Sequence, residues 1–65
     1  MSHDPALEIA HVRGILRRSL TAGRRTAETN HALERMRQLA LHGGDTALRY
    51  EHRRWSVQLR LLRTV

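Results

Sequence analysis

GGDTALRYEHRRWSVQLRLLR, residues 43–63, decides the fold of this chain. Two glycines break the backbone. Asp45 follows, a residue whose carboxylate accepts the free N–H groups of a first helical turn. Leu48, His52, Trp55, Leu59 and Leu62 then recur four, three, four and three apart, the spacing of one helical face. The stretch predicts a helix over 46–63 with a stop just before it.

The same grammar repeats upstream. Asp4-Pro5 reads as a helix start, with Asp as cap and Pro in the first turn, where a missing N–H costs nothing. Ile9, Val12, Leu16 and Leu20 form a stripe, and Gly23 reads as a stop because glycine tolerates left-handed backbone. That helix is predicted over 5–20. A second is predicted over 25–41, with Thr29, Leu33, Met36 and Ala40 as its stripe, broadened by Ala32 and Leu39. No strand pattern appears. The expected fold is all-α, one domain over 1–65. It is either a small three-helix bundle or a kinked helical hairpin, the latter if the weakly apolar stretch 22–30 carries the first helix into the second.

Size limits what such a fold can do alone. A chain of 65 residues buries only about 60% of the surface its unfolded form exposes, so its core is marginal. Oligomerisation is the expected source of further stability. There is no Cys, hence no disulfide and no thiolate metal site; with one Trp, one Tyr and no Phe the core must be aliphatic. Met1–Pro5 lacks the apolar centre of a signal peptide, and no apolar run approaches a membrane span. The cytoplasm is the expected location, without a membrane partner.

Charge is lopsided. Twelve basic residues, all Arg, stand against six acids, for a net charge of +6 and a pI near 11.7. Such a field concentrates polyanions around a protein. On the last predicted helix Arg49, Arg53, Arg60 and Arg63 fall within about 80° of one another, with Ser56 between them and no acid in the sector. Arg13 and Arg17, in line with Arg24, form a looser group on the first helix. Guanidinium suits phosphate because it donates two parallel hydrogen bonds and keeps its charge. From Arg49 to Arg63 such a face would be about 21 Å long. It carries no Asn or Gln to read bases, so it would position rather than specify. A helix-turn-helix over Leu20–Met36 does not fit the glycine and alanine positions. Nucleic acid, DNA or RNA, is the first expected partner and an acidic protein the alternative. Tyr50, Val57 and Leu61 form a second apolar line on the same helix, more than about 120° from the first. It either wraps the edge of a broad core or meets a partner, and a homo-oligomer contact is the expectation.

Two E-x-x-H motifs, Glu8 with His11 and Glu28 with His31, are half of a bundle-type di-iron carboxylate set. Both histidines point about 130–140° from their apolar stripes, and the remaining bridging acids, Glu34 and Glu51, are also off-core. These residues are weak metal candidates, and no metal or other cofactor is expected. Glu34 with Arg37 and Glu51 with Arg54 are each spaced to pair along a helix. His52, inside an apolar stripe, reads as a buried, hydrogen-bonded histidine, with a pH switch as the functional alternative. Nothing points to catalysis: there is no Cys or Lys, no phosphate loop, and Ser2, Ser19 and Ser56 have no base and acid spaced beside them.

Overall fold

The computed structural model describes residues 4–64. Three helices carry the fold: α1 (Pro5–Ala22), α2 (Ala27–Gly43) and α3 (Thr46–Arg60). Two-residue segments β1 (Arg24–Arg25) and β2 (Arg63–Thr64) pair in parallel, Arg24 beside Arg63 and Arg25 beside Thr64. A parallel pair needs a long crossover, and α2 with α3 provides it. The all-α class holds, with this short ladder as an addition that apolar spacing did not announce. Among the described residues no helix is long and apolar enough to cross a membrane.

The helix ends follow from capping chemistry. The Asp4 carboxylate accepts from the Ala6 N–H at 2.9 Å, and Asp45 accepts from the Leu48 N–H at 3.0 Å. Gly23 (φ 68°) and Gly44 (φ 61°) end α1 and α2 in left-handed backbone, a conformation costly for any residue with a Cβ. The first helix therefore stops, and does not run on into the second. α2 begins two residues later than its spacing suggested. Thr26 is its cap: Thr29 N–H donates to the Thr26 hydroxyl, and Thr26 N–H to the Thr29 hydroxyl, a reciprocal box that sequence reading overlooked.

α3 also differs from expectation, ending at Arg60 and not at Arg63. Leu62 N–H bonds the Leu59 carbonyl at 3.1 Å, and the chain then turns to pair with β1. Leu62 packs on the core from this turn, as it would from a further helical turn. Apolar spacing therefore could not locate the end.

The core is aliphatic. Val12, Leu16, Ala32, Leu33, Met36, Ala40, Leu48 and Leu59 are buried, with Ile9, Ile15, Leu39, Trp55 and Leu62 packed around them. α2 touches both other helices extensively, whereas α1 and α3 touch each other less. A bidentate ion pair reinforces that weaker seam. Arg13 donates through Nε and Nη2 to the two Glu51 oxygens, each at 2.7 Å, and Trp55 Nε1 donates to Glu51 at 3.1 Å. Across the α1–α2 seam Arg35 makes a bidentate pair with Glu8. One fully buried polar side chain, Thr29, is satisfied by Ser19 at 2.7 Å and by the Thr26 backbone N–H. That matters because an unpaired hydroxyl there would cost about 1–3 kcal/mol.

Candidate functional site

α3 is wet along most of its circumference, and its sequence sorts that surface into strips. Leu48 and Leu59 face inward, flanked by half-buried Trp55 and His52. Further round, on the side of His52, stand Arg49, Arg53 and Arg60, within about 40° of one another. All three are exposed, and among the described residues none makes a hydrogen bond or ion pair. Tyr50 and Val57 occupy the next sector, within about 60° of Arg53, and Arg54 lies about 40° beyond Tyr50. The helix thus presents an apolar ridge with arginines on both flanks. Tyr50 is 68% exposed, Val57 55% and Leu61 85%, so the line expected as an oligomer contact is open in the single chain and does not wrap the core.

Two members of the expected cationic set leave it. Arg63 is on β2 beside Arg24, at the far end of the molecule's short ladder and off the helical row. The row therefore shortens to Arg49–Arg60, about 16 Å. Arg13 is not a free cation either. Its guanidinium is held by Glu51, and that contact, with the Trp55 bond, holds the Glu51 carboxyl below the usual range against the opposing effect of burial. Glu51 thereby pairs with Arg13 across the seam and not with Arg54 on its own helix. Arg54 remains as a nearby charge. Arg17 is exposed, as expected.

Arg17 and Arg54 meet over an open groove of about 490 Å³ between α1 and α3, lined also by Tyr50, Trp55, Gln58 and the Arg13–Glu51 pair. Sequence reading missed this convergence, although Arg54 is four residues from Tyr50, the spacing of helical neighbours.

The metal candidates do not assemble. Glu8 does not face water as expected but pairs with Arg35. Glu34 pairs with Arg37, as its spacing suggested, and this pulls its carboxyl below the usual range. His11, Glu28 and His31 are exposed. Among the described residues no three His, Asp or Glu side chains come together as a metal ion would need. Ser19 donates to the Ile15 carbonyl and Ser56 to the His52 carbonyl; Ser2 and His3 lie outside the described residues. His52 is half-buried at the α2–α3 seam. Burial and the Arg37 charge lower its pKa, opposed by Glu34 and a hydrogen bond with the Leu33 backbone.

Comparison with protein-family models, curated proteins and solved structures finds no match for this chain.

Proposed function

We propose that the protein is a small non-catalytic nucleic-acid binder that holds phosphates on the outer side of α3, through Arg49, Arg53, Arg60 and, from the other flank, Arg54. The observation that carries this reading is the row Arg49–Arg53–Arg60, exposed and free of carboxylate partners among the described residues. Three of the other arginines are taken by acids, one each by Glu8, Glu34 and Glu51; this row has no acid in its sector to take it. A row of about 16 Å is still longer than a major groove about 12 Å wide, and a net charge of +6 adds a long-range attraction.

Purification without nuclease, followed by absorbance at 260 and 280 nm and light scattering, reports bound nucleic acid and mass together. Anisotropy with a labelled oligonucleotide then tests the face. Four phosphate contacts give a log–log salt slope of about −3.6 for a duplex and about −2.8 for a single strand, so affinity falls about 150-fold or about 50-fold between 50 and 200 mM salt. Replacing Arg49, Arg53 and Arg60 together by Gln abolishes most of that slope while leaving helicity intact. Absence of binding at 50 mM salt refutes the reading.

Val57 and Leu61 favour a second reading. Phosphates gain nothing from them, whereas an acidic protein segment with an apolar stripe would use the ridge and the arginines together. A single stoichiometric protein partner, co-purifying without nucleic acid and lost on Val57→Ser, supports that alternative.

A further inference from the structure

The chain has two aromatic residues, and both line one groove. Tyr50 stands exposed at its rim, and Trp55 is half-buried in its wall with its indole N–H fixed on Glu51. Arg17 approaches from α1 and Arg54 from α3, both exposed and neither hydrogen-bonded among the described residues. With Arg13 and Glu51 included, the groove lining carries three guanidiniums and one carboxylate, a net +2. On the far side of Tyr50 lies the Arg49–Arg53–Arg60 row. Cations thus stand on both sides of an exposed phenol ring.

We infer that this groove makes the protein a single-strand binder: an unpaired strand crosses α3 over Tyr50, with one stretch of phosphates on the Arg49–Arg60 row, the next between Arg17 and Arg54, and a base stacked on the Tyr50 ring. The inference rests on the nucleic-acid reading above and narrows it. A duplex keeps its base faces inside the stack, so neither ring can be used by it. A single strand exposes every base face, and stacking on an aromatic side chain tolerates any sequence. That tolerance matches the Arg49–Arg60 row, which carries no Asn or Gln, although Gln58 lines the groove itself. The groove is open to solvent, and its net positive lining is opposite in sign to the strand's phosphates.

Full-length protein is titrated at 50 mM salt with a fluorescein-labelled 15-nucleotide oligo-dT and with the matching 15-base-pair oligo-dT·oligo-dA duplex, following anisotropy and, with unlabelled DNA, Trp55 emission. Single-stranded dT is expected to bind at least about tenfold tighter than duplex and to change Trp55 emission. Tyr50→Ala is expected to cost about tenfold for dT and little for duplex, while Tyr50→Phe keeps wild-type affinity. Arg17→Gln is expected to flatten the single-strand salt slope by about 0.7. Both side chains are exposed, and thermal melts of each variant confirm folding. Equal affinity for the two DNAs, or an affinity for dT indifferent to Tyr50→Ala, overturns the single-strand inference and leaves phosphate binding standing. No binding of either DNA overturns both.

Discussion

Replacing Glu51 by Gln acts on stability and on the groove in opposite directions. Glu51 is the polar bracket of the α1–α3 seam, where the two helices otherwise touch least. Its pair with Arg13 is bidentate, but the side chains remain 28% and 41% exposed, so solvent screens it. A pair of this kind is worth about 0.5–1 kcal/mol, and Gln still offers Trp55 Nε1 an acceptor. The expected loss at pH 7 is therefore about 1 kcal/mol or slightly less. For 65 residues at about 2.1 cal/mol/K each, that lowers Tm by about 5–7 °C. The sign with pH follows from the lowered Glu51 pKa. Its contribution is complete above the ordinary glutamate value of about 4.3 and is lost as pH falls through the folded-state value. Wild type and E51Q, melted by circular dichroism at pH 7 and again at pH 2.5, are expected to differ more at the first than at the second. The cycle with Arg13→Gln is expected to show coupling of about 0.5–1 kcal/mol. The same substitution frees Arg13 for phosphate, so the single-strand salt slope steepens by about 0.7. An equal Tm gap at both pH values, or no coupling to Arg13, refutes the bracket.

Gly43→Ala and Gly44→Ala separate neighbouring glycines: Gly43 closes α2 with open space around it, whereas Gly44 sits at φ 61°. The first substitution is expected to be neutral or to stabilise by about 0.5 kcal/mol, and the second to cost about 1 kcal/mol, in urea unfolding. His52 has a lowered pKa, set first by burial, so its neutral form is favoured in the folded chain. Stability is expected to fall as pH drops below about 6.5, where the unfolded histidine protonates first. His52→Gln is expected to flatten that part of a stability–pH profile. Thr29→Val removes the hydroxyl that satisfies Thr26 N–H and Ser19. It is expected to cost about 1–2 kcal/mol, while Thr29→Ser, which keeps the oxygen, costs less; chemical denaturation compares them.

Local chemistry made much of this chain legible in one dimension. Asp4 and Asp45 as caps, Gly23 and the Gly43-Gly44 break as stops, and the stripes Val12–Leu16, Thr29–Ala40 and Leu48–Leu59 all depend on neighbours within four or five residues. Such rules need no tertiary information. The outward direction of Arg49, Arg53 and Arg60 follows from the same periodicity, since it is the remainder left when the apolar stripe is buried.

What required the tertiary structure is everything that joins residues far apart in the chain. Glu51 could pair with Arg54 by helical spacing, and only the approach of α1 to α3 brings Arg13 to it as a bidentate donor. Glu8 reads as half of a metal motif until Arg35 is seen across the α1–α2 seam. Arg63 fits the α3 face until β2 turns away to pair with β1, a choice made by backbone groups 39 residues apart. The groove gathers Tyr50, Arg54 and Trp55, which helical spacing could relate, with Arg17 from α1, which no local signature brings there. Charge and periodicity are properties of a segment, whereas a concave surface is a property of how segments meet.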